Sequence, residues 1–433
     1  MTITNKPPTT RRLHAHRRAR HAPITVNFLS TPYRQKISST LGTNHCPKRF
    51  IRPVLDAILT RELEDGEFTM VPQLIETLFP DHAIPIEIRR GLPTILDKLY
   101  KNGRWINFPQ HLAGKNAEQT LAGFFNRIRT EITSLPDCPQ SHLGRIWTGD
   151  YCNTPLKGLG LKRKPDLILV DRLDRSRTWS DVNALAELTS KMSFTKTIRR
   201  TLVSKSYLIF KAQEDCRYVV SVSICNTKFL LSLFDRAGCC HSEQLDVNGN
   251  AEKFLYVLAG LSFSSKIWLG YDPTIIDSVN GAKEVTLANT YVIQKTIFRS
   301  DVLRGRATIC WHATCNGEDY AIKDSWSDTS RQLTEREILD DLNDIDGVPK
   351  VVEEAIVQVE GGDDSMDHRR SMMANPAIKW HKKGRKMFSV LENRLHRRLV
   401  LHPLGIPVVS FSSKRELISV LIDIVQSKKI NIL

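Results

Sequence analysis

The spacing of apolar residues changes along the chain and predicts regions of different structure. Between residues 51 and 140 apolar positions recur at roughly helical intervals, whereas from 141 to 280 short continuous apolar runs alternate with helical segments. We therefore expect a helical N-terminal cap over 51–140 and a mixed α/β module over 141–280. The expected helices are 52–61, 71–78, 86–100, 117–135, 195–213 and 251–261, and the expected strands are 167–170, 182–188, 218–224 and 229–234.

The pattern changes again after residue 281 and centres on the stretch from Asn316 to Trp326. Asn316-Gly317 is a strong hairpin signal, and the residues after it fit a strand in which Ala321 and Lys323 share one face. These features predict an α+β region over 281–433. Its expected elements are strands at 291–298, 307–314, 351–359 and 399–402, and helices at 328–342 and 416–426.

The strand after Asn316 carries candidate chemistry. A small Ala321 leaves room for a flat base, and the ammonium of Lys323 can lie over phosphates as a point charge. On a helical wheel Glu335 falls in the middle of the apolar face of the following helix, while Glu337 lies toward its polar side. Because a buried carboxylate needs a cationic partner, we expect Glu335 to pair with Lys323, with Glu337 as the alternative.

Several strings of the sequence, in this order, resemble the fungal-type protein kinase family, a divergent group of fungal kinases. They are K-R-K-P-D-L-I-L-V-D (162–171), L-F-D-R-A-G (233–238), L-G-Y-D-P-T-I (269–275), Y-A-I-K-D-S-W (320–326), G-V-P (347–349) and L-H-R-R-L-V-L (395–401). The resemblance implies a protein-kinase-like N-lobe, ATP with Mg²⁺ as cofactor, and phosphoryl transfer to Ser/Thr of a protein substrate. It places Lys323 on the α- and β-phosphates, Glu335 beside it, Ala321 at the base and Gly305 in the phosphate loop.

The same resemblance leads us to expect that this chain does not catalyse phosphoryl transfer. The family's His-Arg-Asp and Asp-Phe-Gly segments are absent, and the sequence has His-Arg-Arg at 368–370 and 396–398 instead. Arginine can neither accept the hydroxyl proton nor bind the metal ion, so no catalytic residue is assigned. We expect a truncated kinase-like protein with an incomplete C-lobe, acting as a non-catalytic pseudokinase or interaction scaffold, or representing a gene fragment.

A second pattern lies in the α/β module, where Asp166 follows a proline and Glu187 opens Glu-Leu-Thr. It is similar to the Pro-Asp…(Asp/Glu)-x-Lys pattern of restriction-endonuclease-like folds, which implies two carboxylates on adjacent strands that hold Mg²⁺. Thr189 occupies the lysine position, Lys191 could replace it, and Gln213 is compatible with such a core. We interpret the module as a nuclease-like fold kept as a scaffold, with Mg²⁺-dependent cleavage through Asp166 and Glu187 as the less favoured alternative.

The net charge of +15 is concentrated at the N-terminus, where residues 1–50 hold ten Lys and Arg and no acidic residue. The run R-R-L-H-A-H-R-R-A-R, from Arg11 to Arg20, predicts a disordered basic arm. Such an arm fits a nuclear localisation signal, a nucleic-acid contact or a mitochondrial transit peptide, and equally a solvated tail without a partner.

Several classes of protein are excluded by the composition. The chain has no run of 18 apolar residues and no apolar signal-peptide core, so we expect no membrane insertion and an intracellular protein, cytoplasmic or nuclear. Nine scattered cysteines fit a reducing compartment. We expect buried thiols, and not zinc, at Cys310, His312 and Cys315 and at Cys239-Cys240-His241. Asp235 and Asp272 are expected in turns or structural ion pairs and not in catalysis.

Overall fold

A computed structural model describes residues 52–430, except 65, 110–111, 113, 115, 137, 139–143, 172–175, 191–193, 195, 279, 346, 372–380, 383–391 and 408–409. The basic arm from Arg11 to Arg20 and Lys191 lie outside the described residues. The helices are α1 (Arg52–Glu62), α2 (Leu74–Leu78), α3 (Ile86–Leu99), α4 (Ala117–Thr133), α5 (Lys196–Ala212), α6 (Ala251–Phe263), α7 (Glu335–Asp340), α8 (Met366–Arg369) and α9 (Lys414–Ile430).

The strands belong to two large sheets and two short ribbons. They are β1 (Glu67–Val71), β2 (Tyr100–Lys101), β3 (Arg104–Trp105), β4 (Ile146–Thr148), β5 (Leu167–Val170), β6 (Ala184–Thr189), β7 (Val219–Cys225), β8 (Lys228–Asp235), β9 (Gly238–Ser242), β10 (Leu245–Asp246), β11 (Ile275–Asp277), β12 (Lys283–Thr286), β13 (Thr290–Arg299), β14 (Ile309–Cys315), β15 (Glu318–Asp328), β16 (Lys350–Ile356), β17 (Gln358–Val359), β18 (Gly362–Asp363), β19 (His381–Lys382) and β20 (Arg394–His402).

The first sheet has the strand order β19-β1-β9-β8-β7-β6-β5-β4, with β10 beside β8. The pairs β1–β9 and β6–β7 are parallel, and the other pairs are antiparallel. Strand β5 is buried on both faces, because Leu167 and Leu169 pack into one hydrophobic core while Ile168 and Val170 pack into another. Helices α3, α4 and α6 contribute to the first core and α1 and α5 to the second, so the sheet lies between two helical layers.

The second sheet is entirely antiparallel and has the order β11-β12-β13-β14-β15-β20-β16. We call this sheet with α7 the small lobe. The hairpin between β14 and β15 turns at Asn316 and Gly317, whose φ angles of 51° and 85° are those of the tight hairpin turn that the sequence predicts. The following helix α9 is capped by the Ser413 hydroxyl, which accepts a hydrogen bond from the Glu416 amide.

The expected combination of α/β and α+β structure is confirmed, whereas three details of the prediction are wrong. Val71 ends a strand and does not begin a helix, because β1 pairs in parallel with β9. The segment from Asp328 is not helical at its start, since β15 continues to Asp328 opposite Arg394 and α7 begins only at Glu335. The predicted apolar face of that helix is not buried, and no residue of α7 is fully buried.

Within the part of the chain that the structure describes, no helix combines the length and the hydropathy needed to cross a bilayer.

Candidate functional site

The small-lobe sheet has two faces with different surroundings. Trp311 and Ile322 lie opposite one another on the face that we call the inner face, and both are fully buried. Lys323 lies opposite Cys310 on the other face, which we call the cleft face, and Ala321 shares it because side chains alternate along a strand. Trp311 donates its indole N–H to the Glu214 carboxylate at 2.7 Å, which links the inner face to the end of α5.

The cleft face carries the ion pair that the sequence analysis expected. The ammonium of Lys323 donates to Glu335 Oε1, across from β15 to the first residue of α7. The alternative, Glu337, is engaged elsewhere, because its carboxylate accepts hydrogen bonds from the Thr334 amide at 2.6 Å and from the Thr334 hydroxyl at 2.8 Å. These bonds form a capping box, which fixes the start of α7 and directs Glu335 toward β15.

Arg306 joins the same carboxylate from the loop between β13 and β14. Its guanidinium donates to Glu335 Oε2 at 2.8 Å, so two cations meet one carboxylate. Burial alone would raise the pKa of Glu335, but Lys323 and Arg306 lower it below its usual value, and the carboxylate stays ionised. Burial raises the pKa of the neighbouring Cys310 thiol to about 11, so this thiol is protonated at neutral pH.

The loop 300–308 between β13 and β14 is held by the first sheet and its helices. The amides of Leu303 and Arg304 donate to Glu62 Oε2 at 2.9 and 3.2 Å, and the amide of Gly305 donates to the Arg236 carbonyl at 2.7 Å. The Leu303 side chain is fully buried in the core formed with α1 and α5. Gly305 therefore lies beside the turn between β8 and β9, and its contact with a phosphate stays a prediction.

We expect Glu62→Ala to destabilise this loop and the fold around it. The variant removes a buried acceptor from two amides, and leaving such groups unsatisfied costs about 2 kcal/mol. Hydrogen exchange of the 300–308 segment should accelerate, and the free energy of unfolding should fall. Glu62→Gln keeps an acceptor oxygen and should lose less stability, while Glu64→Ala, at an exposed position, should change neither quantity. Equal exchange in Glu62→Ala and Glu64→Ala would contradict this role.

On the inner face Arg398 joins β15 to the segment around Asp272 that leads into β11. Its Nε donates to Asp324 Oδ1 at 2.9 Å and its NH2 donates to Asp272 Oδ2 at 2.8 Å. A third bond of 2.7 Å runs to the Thr274 hydroxyl, which in turn donates to Asp272 Oδ1. Arg398 is only 1% exposed, so two aspartates and one arginine form a buried, hydrogen-bonded group.

His396 extends this group to the first sheet. Its two ring nitrogens face Asp324 Oδ2 at 2.8 Å and Asp364 Oδ2 at 2.9 Å, and its ring stacks on Trp326. Asp364 also accepts hydrogen bonds from Arg369 and, at 3.1 Å, from Arg217, which lies two residues before β7. We call these seven charged residues the inner-face network; they are Arg217, Asp272, Asp324, Asp364, Arg369, His396 and Arg398.

The structure places Asp235 and Asp272 in the turns and ion pairs that the sequence predicts. Asp235 Oδ1 accepts from the Ala237 amide at 2.9 Å, and its carboxylate also accepts two bonds from the Arg370 guanidinium. Asp272 Oδ1 accepts from the Thr274 amide at 2.8 Å. The His-Arg-Arg of 368–370 thus supplies a buried partner for Asp235, and that of 396–398 supplies the inner-face network.

The predicted carboxylates of the α/β module lie together, with Asp166 immediately before β5 and Glu187 on the adjacent strand β6. The Leu188 amide donates to Asp166 Oδ2 at 2.8 Å, and the Asp166 amide donates to Glu187 Oε1 at 3.3 Å. Lys205 on α5, which was not predicted from the sequence, donates its ammonium N–H to Glu187, and its side chain is almost fully buried. Its signal in the sequence was a lysine between Leu202 and Leu208, at helical spacing on an apolar stripe.

Burial controls the protonation of Glu187. It raises the pKa of this carboxyl to about 7, against the opposing effect of Lys205. Glu187 therefore carries a proton for part of the time near neutral pH, and its nearest charged partner is a lysine. A restriction-endonuclease-like identity for this module stays a prediction.

The cysteines and histidines considered for zinc lie in different environments. Cys239 and Cys240 are fully buried in β9, and burial raises their thiol pKa values, to about 11 for Cys240. His312 instead faces Asp319 at 2.6 Å across the β14–β15 hairpin. Among the described residues no group of three or more His, Cys, Asp or Glu side chains is placed to hold a metal ion.

The cleft face fits the phosphates of a nucleotide better than it fits the metal ion. Lys323 and Arg306 present partly exposed cations at Glu335, and together they are the donor set that a phosphate chain needs. The small Ala321 lies two residues before Lys323 on the same strand face. ATP would bring Mg²⁺ with it, and Mg²⁺ prefers carboxylate and water oxygens. The carboxylate at this site, Glu335, is already shared by two cations.

Comparison with protein-family models matches residues 164–430, more than half of the 433 residues, to the model described as Fungal protein kinase. A search of curated proteins and a search of solved structures each gave no match. The matched residues include β5 to β20 and both partners of the Lys323–Glu335 ion pair.

Proposed function

The chain belongs to the fungal protein kinase family, and from this premise we propose that its small lobe binds ATP, with Lys323 on the phosphates and Glu335 holding the lysine in place. The observation that carries the proposal is the ion pair between these two residues on the cleft face. A lysine on a strand, paired with a glutamate on the following helix, is the arrangement that protein kinases use to position the α- and β-phosphates. Ala321 would lie against the base.

We further propose that these 433 residues bind the nucleotide and do not themselves supply the groups that transfer its γ-phosphoryl group, so that they act as a pseudokinase or interaction scaffold. Transfer needs an aspartate to accept the hydroxyl proton and further groups to hold Mg²⁺. These residues contain neither His-Arg-Asp nor Asp-Phe-Gly, and the His-Arg-Arg segments at 368–370 and 396–398 take part in buried ion pairs. Arginine at these positions serves the fold and offers no acceptor for a proton.

For the α/β module we propose the role of a scaffold for the small lobe. Support comes from the inner-face network and from loop 300–308, which both join the module to the small-lobe sheet. The alternative, a Mg²⁺-dependent nuclease, is favoured only by the adjacency of Asp166 and Glu187. That activity would require Glu187 to exchange the buried Lys205 for a metal ion.

Thermal unfolding of the purified chain with and without Mg-ATP tests the nucleotide proposal. A ligand that binds only the folded state at 100 times its Kd stabilises it by about 2.7 kcal/mol, so Tm should rise. We expect Lys323→Ala to abolish this shift, and Glu335→Gln to weaken it because the lysine loses its charged partner. Lys253→Ala, which removes one exposed charge from α6 far along the chain from the small lobe, should keep the shift. An unchanged Tm in the wild-type protein would refute the proposal.

A further inference from the structure

We propose that the side chain of Arg306 acts with Lys323 to bind the phosphate chain, in place of the backbone amides of loop 300–308. This inference rests on the proposed function, because it names a second ligand-binding residue of the same site. The group recognised is a di- or triphosphate, whose oxygens suit a planar guanidinium beside an ammonium. Arg306 would thereby distinguish phosphorylated nucleotides from the nucleoside.

Three backbone amides of loop 300–308 are already hydrogen-bonded and face away from the cleft. In protein kinases the glycine-rich loop covers the phosphates. Here the amides of Leu303 and Arg304 already donate to the Glu62 carboxylate, and the amide of Gly305 donates to the Arg236 carbonyl. Turning these amides toward the cleft would break three hydrogen bonds and withdraw Leu303 from a core in which it is fully buried. The loop therefore keeps its position and offers its next side chain.

The side chain of Arg306 lies at the cleft face. The carbonyl of Arg306 accepts the Trp326 amide at 2.8 Å, which fixes its backbone beside the end of β15. Its guanidinium then reaches Glu335 Oε2 while Lys323 occupies Oε1, so both cations lie at one carboxylate. The Arg306 side chain stays 25% exposed in this position. A phosphate oxygen would accept a hydrogen bond from the exposed part of this guanidinium without displacing Glu335.

The charges of Arg306, Lys323 and Glu335 favour an anion. Two cations share one ionised carboxylate, so the group of Arg306, Lys323 and Glu335 carries an excess of one positive charge. The side chains of Arg306 and Lys323 are 25% and 22% exposed, so an anion can reach them from solvent while the surrounding protein limits screening. Charge-assisted hydrogen bonds to a phosphate are about twice as strong as neutral ones, and a guanidinium can form two in parallel.

The test is titration calorimetry of the full chain in Mg²⁺ with adenosine, ADP and inorganic tripolyphosphate. We expect Arg306→Ala to weaken ADP and tripolyphosphate binding at least about tenfold and to leave adenosine binding unchanged. Arg306→Lys, which keeps a point charge, should recover part of the loss. The matched control is Arg336→Ala, which removes an arginine from α7 that pairs with Asp340 on the exposed side of the helix, and it should bind like the wild type.

Each outcome decides between the inference and the function on which it rests. ADP binding that requires Lys323 but is equal in Arg306→Ala and Arg336→Ala overturns the inference and leaves the proposed function standing. Tripolyphosphate binding that depends on Arg306, without binding of ADP or adenosine, supports the anion site and overturns nucleotide binding. No binding of any phosphate compound overturns both. Arg306→Gln keeps a donor for Glu335, and its unfolding without ligand separates loss of binding from loss of fold.

Discussion

Replacing Arg398 by alanine is expected to destabilise the small lobe by about 3–5 kcal/mol, the largest effect among the variants considered. The guanidinium of Arg398 is the shared partner of Asp272 and Asp324, and the arginine and both aspartates are buried. Its removal leaves two carboxylates in a poorly solvated position with one strong donor fewer each. Uncompensated buried charge is far more costly than the loss of a surface ion pair.

Arg397 provides the matched control, because it is the same residue type on the same strand one position away. Its side chain is 23% exposed and pairs with Glu354, which is 21% exposed. Exposed or half-exposed pairs contribute about 1 kcal/mol or less, so Arg397→Ala should have a small effect. Urea unfolding followed by tryptophan fluorescence measures the free energy of unfolding of both variants, since the Trp311 ring lies 5.9 Å from the Arg398 guanidinium. Similar losses in the two variants would contradict a special role for the inner face.

The two faces of the small-lobe sheet give structural roles to the charged residues in three of the family strings. Alternation along β15 sends Asp324 to the inner face and Lys323 to the cleft face, within one string, Y-A-I-K-D-S-W. The neighbouring string on β20 supplies His396 and Arg398 to the same inner face, and L-G-Y-D-P-T-I supplies Asp272. Four of the six charged residues in these three strings, Asp272, Asp324, His396 and Arg398, therefore belong to the inner-face network, and Lys323 lies on the cleft face.

The local features of the site could be predicted from the sequence because they depend on neighbouring residues. The Asn316-Gly317 turn and the strand faces around Lys323 follow from backbone preference and strand geometry. The choice of Glu335 over Glu337 agrees with the observed ion pair, although the buried apolar helix face on which it was based does not exist in α7. The capping box at Thr334 was also readable, and it would have corrected the predicted start of α7. The full length of β15 could not be predicted from the sequence, because its last residues adopt strand structure only by pairing with β20.

The long-range features could not be predicted, because their partners are far apart in the chain. Asp235 meets Arg370 across 135 positions and Glu62 meets the Leu303 amide across 241. A single sequence shows that a buried charge needs a partner but not which residue provides it. For the same reason Lys205 was passed over in favour of Thr189 and Lys191, the nearer positions on the expected strand.

The second large effect is a loss of stability at alkaline pH that depends on His396. Burial alone would lower the pKa of this imidazole, but Asp324 and Asp364 raise it to about 9 from an ordinary value of 6.5. Elsewhere in the network the pKa values of Arg217 and Arg398 are raised by their aspartate partners and those of Asp324 and Asp364 are lowered by their cationic partners, so these four groups keep their charge in this range. A group with a raised pKa in the folded state stabilises the protein fully below its unfolded pKa, and this contribution is lost as pH rises through the folded value.

The sign and the window follow from these values. Stabilisation by His396 is complete below pH 6.5, amounts to roughly 3 kcal/mol, and is lost as pH rises through 9. Glu187, whose pKa is raised to about 7, changes the pH dependence of the free energy of unfolding mainly below pH 7. Burial lowers the pKa of His241 to about 3, so this histidine affects the free energy of unfolding only below about pH 6.5. Buried thiols with raised pKa values, such as Cys240 and Cys310, also make the free energy of unfolding fall as pH approaches 9, because they ionise there only in the unfolded chain. The difference between the wild type and a His396 variant between pH 7 and 9 therefore isolates His396.

Urea unfolding of the full chain at intervals from pH 6 to 10 measures this effect. We expect the free energy of unfolding of the wild-type protein to fall between pH 7 and 9, with roughly 2 kcal/mol of this fall due to His396. His396→Gln should be less stable at pH 6, because Asp324 and Asp364 lose a cation, and its difference from the wild type should shrink by roughly 2 kcal/mol between pH 7 and 9. His312→Gln, at a half-exposed pair with Asp319, should keep the wild-type profile. A difference between the wild type and His396→Gln that stays constant over this range would show that His396 is neutral in the fold.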